Sequence, residues 1–265
     1  MKKIITICFV FALFSIALTA QNTFQPKQVV SNNVGIVYDK EFTFDVRLHT
    51  HGLALGVNIG QLKTFYRTRF YQFEIGELRH PKEERESNDR PNFNGRSPRS
   101  FFFGKQNSLY VLRGGIGEKR YFSEKAKERG LAIGMSYVIG PSIGLLKPYY
   151  LDLIRVQDGS TQIVSEKFSE ENEDIFLNEL NIFGSSGFSK GISELSILPG
   201  IHAKAGVHFD WGAFDEFVKA IEAGVMIDAY FKRVPIMVQT DEIKNVENRP
   251  FFINLYLTLQ LGKRW

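Results

Sequence analysis

His202, His208 and Asp210 fall at even spacing, so in an extended strand they share one face. An imidazole beside a carboxylate is the base half of a hydrolase, and with a serine it could cleave or transfer an acyl group. His49-Thr50-His51 sets two imidazoles at alternate positions, the spacing of two metal ligands on one strand face, but no further ligand can be assigned to them. An exposed hairpin tip is the expected place for these three residues. Gly114-Gly115-Ile116-Gly117 has the permissive backbone of a phosphate loop. It lacks the strand–loop–helix setting and the Lys-Ser/Thr pair that such loops need, so glycines inside a strand are expected instead. Six ionisable residues, Asp45, Arg47, Lys204, His208, Glu222 and Asp228, lie opposite the apolar face of their strands. Confined together they must pair, because an unpaired buried charge is costly. The expectation is a structural ion-pair network, with no catalytic, cofactor-binding or metal site and no cofactor.

The strands that hold these residues are written in period-two patterns. In 42–48, Phe42, Phe44, Val46 and Leu48 alternate with Thr43, Asp45 and Arg47. In 53–59, Leu53, Leu55, Val57 and Ile59 alternate with Ala54, Gly56 and Asn58. A third strand is expected over 64–79, with a bulge where Phe70 and Tyr71 break the alternation. A fourth is expected over 101–117, after a polar loop at 80–100. The fifth starts at Leu131, with Ile133, Met135, Tyr137 and Ile139 on its apolar face. Pro141 and Pro148 should loosen its pairing, since proline cannot donate to a ladder. Strands at 201–209, 221–231 and 251–261 complete a set of eight. A hairpin centred near Phe214 would set Lys204 opposite Gly224, with Glu222 diagonal to it. The connection 118–130 has room for one helical turn. Residues 151–196 read as the longest irregular stretch, partly helical over 169–182. Its Ile175, Phe176, Leu177, Leu180, Ile182 and Phe183 need burial, in a cap over the barrel mouth or against a partner.

Eight alternating strands fit either a soluble barrel with an apolar interior or an inserted one with an apolar exterior. Three features favour insertion. The non-apolar face mixes small residues with charges, which suits a narrow lumen. Connections alternate between short (61–63, 118–129, 212–216) and long (80–100, 151–196, 233–249), apart from the short first hairpin. Aromatics gather near strand ends at Phe101 to Phe103, Tyr149, Tyr150, Trp211, Phe251, Phe252 and Trp265, where interfacial girdles lie. The chain has 24 Phe, 10 Tyr and 2 Trp in 265 residues. Its mean hydropathy of −0.15 excludes a helical multi-span protein but not a barrel of alternating strands.

Residues 1–20 are read as a cleaved secretory signal peptide: Lys2 and Lys3, an apolar run to Leu18, then Thr19-Ala20 before Gln21. A polar lead, 21–33, precedes the barrel at 34–265. The one cysteine, Cys8, falls in the apolar run, so the exported chain has no disulfide. Removing Lys2 and Lys3 from 33 basic residues leaves 31 against 29 acidic ones. No basic stripe is present, and nucleic acid is not an expected partner.

The ending Phe251-Phe252-Ile253-Asn254-Leu255-Tyr256-Leu257-Thr258-Leu259-Gln260-Leu261-Gly262-Lys263-Arg264-Trp265 resembles the closing strand of Gram-negative outer-membrane β-barrels. With the signal peptide and the glycine-alternating stretch after Leu131, the chain resembles the small outer-membrane β-barrel proteins of Bacteroidota. That resemblance implies an all-β, eight-stranded antiparallel up-and-down transmembrane barrel with long extracellular loops, resident in the outer membrane. It implies membrane lipid and the barrel-insertion machinery as partners, the latter reading the terminal aromatic. The expected role is non-enzymatic, structural or interactive, as an accessory in envelope assembly or protein secretion with a protein partner. The alternative is a lipid A-modifying enzyme of acylase or deacylase type.

Overall fold

The computed structural model describes residues 38–64, 66–87, 90–93, 95, 97–122, 131–157, 160–212, 215–240 and 246–265. The expected signal peptide, the polar lead and the barrel segment before residue 38 lie outside the described residues. So does most of the connection expected to hold a helical turn, 123–130.

The first three strands are β1 (Lys40–His49), β2 (Gly52–Thr64) and β3 (Arg67–Leu78). Two short strands, β4 (Arg85–Glu86) and β5 (Phe101–Phe102), pair with each other. Then follow β6 (Asn107–Tyr121) and β7 (Ala132–Pro148), and a separate three-stranded sheet of β8 (Tyr150–Gln157), β9 (Ser160–Lys167) and β10 (Ile182–Ser185). The chain ends in β11 (Ser196–Asp210), β12 (Phe217–Tyr230) and β13 (Phe251–Arg264). β1, β2, β3, β6, β7, β11, β12 and β13 close an eight-stranded antiparallel up-and-down barrel, with β13 returning to β1. Closure pairs the backbone of both outermost strands and leaves the wall no open edge.

The faces are reversed relative to a soluble barrel. Inward positions carry Thr43, Asp45, Arg47, Asn58, Gln72, Glu74, Thr258 and Gln260, all buried. Outward positions carry Phe44, Ile59, Phe73, Ile139, Ile253 and Leu257, all exposed. Hence the soluble alternative, which needs the apolar face inside, does not describe this wall.

Several strand details differ from the sequence reading. Phe70 and Tyr71 do not form a bulge: Phe70 points into the lumen and Tyr71 out, in clean alternation. The large ring is tolerated because its register partners on both sides are glycines, Gly60 and Gly117. A Cβ at Gly117 would sit 2.5 Å from the Phe70 ring. The irregularity lies instead in the β2–β3 pairing between Leu62 and Thr64. The fourth barrel strand begins at Asn107, not 101, because Gly104 takes a left-handed turn (φ 64°) that separates it from β5. β7 continues through Pro141 to Pro148. Pro141 keeps its register with Ile201 of β11, and the ladder lapses only toward β6, opposite Gly114 and Gly115. The stretch 151–196 is largely ordered, since β8–β9 is a hairpin that β10 extends. The partly helical region is present as Glu170–Asn172, Glu173–Phe176 and Glu179–Asn181.

The two ends of the barrel differ. One end has the connections 65–66, 122–131 and 211–216; the other has the two-residue turn Thr50-His51 and the long connections 79–106, 149–195 and 231–250. At this long-loop end, Val234, Ile236 and Met237 join Leu78, Leu109, Val111, Leu146, Leu198, Tyr230 and Phe252 in one buried cluster. Asn248 holds that segment, accepting from Ile236 N (3.1 Å) and Met237 N (3.2 Å) and donating to Met237 O (2.7 Å). Closure of the mouth therefore falls to 234–237, while 150–185 builds a neighbouring core from Leu151, Leu153, Phe176, Leu177 and Ile182 with Phe101. Phe183 is buried as expected, but Leu180 is exposed.

The close approach of β6 and β7 gives a direct test. A Cβ at Gly140 would overlap the Gly114 carbonyl oxygen and lie 2.5 Å from Gly115 Cα. Gly140→Leu should destabilise the barrel by about 3 kcal/mol or more, read as a lower urea midpoint in detergent micelles. An unchanged midpoint would show that the two strands can separate there freely.

Candidate functional site

Period-two alternation on eight closed strands delivers every inward charge to one narrow space. At the short-loop end, Glu41 accepts from Lys119 Nζ (2.9 Å) and Arg264 Nε (2.8 Å). Arg264 also donates to Asp210 (2.8 Å), which accepts from Tyr121 OH (2.9 Å) as well. In a second group, Asn58 donates to Asp45 (2.8 Å), Tyr256 OH donates to Glu222 (2.8 Å), and Lys204 lies 3.4 Å from Glu222. In a third, Arg47 pairs with Glu74 and donates to Thr258 (2.8 Å). Arg113 bridges Glu74 (2.5 Å) and Asp228 (2.7 and 2.9 Å). The Arg47 guanidinium also stacks over the Tyr256 ring at 4.9 Å.

The six ionisable residues expected to face inward all do so, and all are buried. The β11–β12 register differs by two from the expectation: Lys204 is opposite Met226 and His208 is opposite Glu222. The Lys204–Glu222 pair forms nonetheless, because a lysine side chain spans the offset inside a narrow lumen. Glu41, Glu74, Arg113, Lys119 and Arg264 belong to the same network and were missed. The signal was present for Glu74, which alternates with Gln72 and Gly76, but the supposed bulge at Phe70 obscured that register.

The acyl-transfer constellation does not assemble. Asp210 is taken by Arg264, Tyr121 and the Gly212 amide (2.7 Å), so it orients no imidazole. His208 faces Glu222 (3.4 Å) and the Tyr121 ring (5.9 Å), while His202 lies by the Pro141 carbonyl (3.3 Å). The buried hydroxyls of Ser136 and Ser142 bond to neither. His49 is not part of an exposed tip: it ends β1 buried inside the mouth, whereas His51 in the turn contacts Asn254 (2.5 Å). Gly114, Gly115 and Gly117 lie inside β6. Of the expected girdle aromatics, Trp211, Phe251 and Trp265 are exposed, but Phe101 and Phe252 are buried in the two cores at the long-loop end.

No family model matches the chain, and no curated protein matches it. Among solved structures, the N-terminal β-barrel domain of Pseudomonas aeruginosa OprF is similar at 9% identity, covering 86% of this chain and 98% of that one, with a TM-score of 0.33.

Outside the wall, the β8–β9 hairpin carries its own pair. Arg155 donates to Glu166 at 3.0 and 2.7 Å and holds that carboxyl below the ordinary carboxylate range. The pair supports the hairpin above that range and is lost as pH falls through the lowered value. Nearby, burial pushes the Tyr149 hydroxyl up.

Glu74 is the shared acceptor of two buried guanidinium groups. Glu74→Ala should cost about 3–5 kcal/mol by leaving Arg47 short of its partner and Arg113 with Asp228 alone. The check is the urea midpoint of Glu74→Ala against a Glu74→Ala/Arg47→Met double variant. The double variant should recover part of the loss, and a double variant no more stable than Glu74→Ala would show that a stranded Arg47 carries no penalty.

Proposed function

We propose that this chain is an outer-membrane β-barrel with a filled, non-conducting lumen, whose role is structural or interactive and is exercised through its long-loop end. One observation carries the reading. Between the two rims, no outward position of the eight strands bears a charge. The positions run through Phe42 to Leu48, Leu53 to Ile59, Tyr71 to Ile75, Leu112 to Ile116, Ile133 to Leu145, Ile197 to Phe209, Ile221 to Ala229 and Phe251 to Leu261. On β13 ten residue steps at ~3.4 Å, tilted by ~40°, give about 26 Å, the height of an outer-membrane barrel's apolar band.

Outward charges return at the short-loop rim as Lys40, Lys63, Arg67, Arg69, Glu118, Arg120, Lys219 and Lys263, with Glu118 held by Arg67, Arg69 and Arg120. Tyr66, Trp211, Phe217 and Trp265 are exposed there too, the mixture suited to an interface. Ion pairs fill the lumen and an apolar plug covers its mouth, which supports a closed barrel over a pore. The proposed role is non-enzymatic, because His202 and His208 face the lumen and not the acyl chains of a surrounding lipid. An accessory task in envelope assembly or secretion fits a barrel whose elaborated surface is at one end. The proposed partners are membrane lipid, the barrel-insertion machinery at the closing strand, and an envelope protein.

Four measurements test this. The protein should stay in the outer-membrane pellet through salt and carbonate washes, and release into the supernatant would overturn the location. Leu257→Arg, at mid-belt, should cost about 2–4 kcal/mol in refolding into lipid vesicles. Planar bilayers carrying the protein should show no stepwise conductance, and reproducible steps would overturn the closed lumen. Crosslinking in native membrane, followed by mass spectrometry, should recover a stoichiometric partner.

A further inference from the structure

At the long-loop rim the outer wall does not end bare. Glu77, Tyr110 and Lys147 occupy the outward positions next above Ile75, Leu112 and Leu145 on three adjacent strands. Together with residues of the 185–190 and 99–105 segments they line an open cleft of about 590 Å³. That volume is in the range of small-molecule sites. Six cations and two carboxylates line it. Lys105 is neutralised by Glu83 (2.7 Å) and Arg79 by Glu77 (2.8 Å). Arg85 donates to the Ser100 hydroxyl (2.7 Å), and Arg99, Lys147 and Lys190 meet no carboxylate among the described residues.

Lys147 is the most informative of the three. It is 7% exposed, yet among the described residues its ammonium donates only to the Phe188 carbonyl oxygen, at 2.5 Å, and sits 3.9 Å from the centre of the Phe188 ring. An ammonium has three donors, so one carbonyl and the ring face do not exhaust its capacity. A buried cation without an anion is costly, and the cost is relieved when an anion arrives. The other wall is aromatic: Phe188 is exposed and stands edge-on to Tyr110 at 6.2 Å, and Tyr149 and Tyr150 line the same space. Flat rings beside cations and the hydroxyls of Ser108 and Ser186, the latter already donating to Asp152 (2.5 Å), fit a sugar ring that bears an acid group.

We propose that this cleft binds an anionic saccharide, with a phosphate or carboxylate on Lys147, Arg99 and Lys190 and the sugar face on Phe188. The inference rests on the membrane reading above for one element only, the source of the ligand. If the apolar belt lies in a bilayer, the cleft sits at headgroup level beside it, and the saccharide is the headgroup of a glycolipid. Otherwise it is a free glycan.

The full barrel, purified in detergent, would be titrated with three probes: intact lipopolysaccharide in nanodiscs, its phosphorylated oligosaccharide freed of acyl chains, and neutral maltohexaose. The phosphorylated probes should bind at least tenfold more tightly than maltohexaose, with affinity falling as salt rises. Lys147→Met and the Arg99→Gln/Lys190→Gln pair should each weaken binding tenfold or more, while heat-modifiable gel mobility confirms a folded barrel. Binding of intact lipopolysaccharide alone assigns the glycolipid source, and equal binding of the freed oligosaccharide assigns recognition to the sugar itself. Binding by a protein that washes off membranes would retain the site and remove the membrane reading. Equal affinity for all three probes, or folded variants that bind like the parent, would overturn the site.

Discussion

A wall that turns its apolar side chains outward has to satisfy its polar ones within its own interior. This single inversion orders the rest of the molecule. Inside eight strands there is little room for water, so each inward carboxylate needs a guanidinium, ammonium, hydroxyl or amide from another strand. Glu74, held by Arg47 and Arg113, and Glu41, held by Lys119 and Arg264, show how this is met across the lumen instead of along one strand. Small residues make the space: Gly60 and Gly117 flank Phe70, and Gly206 lies against the Tyr256 hydroxyl. At the mouth the interior changes character, and Val234, Ile236 and Met237 replace charge with apolar packing.

The same inversion separates the two rims. Short connections suffice where strands merely turn. The long-loop end instead carries two cores, one over the mouth and one under the β8–β10 sheet, joined in sequence by Met237 and Val238. The Lys105–Met237 bridge and the Val238 amide on the Gly104 carbonyl (2.8 Å) tie the 231–250 connection to the start of β6. The cap elements are thereby anchored to the barrel strands beneath them, which is what a recognition surface needs.

Sequence alone displayed the wall well and the cap poorly, for physical reasons. Strict alternation in 42–48, 201–209 and 251–261 sets both the strands and the sides on which Asp45, Lys204 and Thr258 lie. Register between strands is a weaker signal, so the β11–β12 pairing differed by two while its charges still met. Phe70 read as an irregularity because the compensating glycines stand on other strands. Pro141 signals looser pairing in the sequence, and the ladder lapses beside it on one side only, toward β6, which the sequence does not specify. The cleft was invisible, since Arg99, Lys147 and Lys190 belong to three segments whose meeting depends on how the cap folds back.

The β1–β13 seam sets the order in which such a barrel can form. Its pairs join residues from opposite ends of the wall; Arg47 and Thr258 are 211 positions apart. Pairing across so long a loop carries a large entropic cost and comes slowly. Until β13 arrives, β1 and the latest strand present unpaired backbone edges, open to mispairing with any other extended chain. The lumen anchors that β13 supplies, including Arg264 for Glu41 and Thr258 for Arg47, are also absent until then. The last strand completes the wall and the lumen network together, and a helper that shields the open edges until it pairs would act chiefly on the rate.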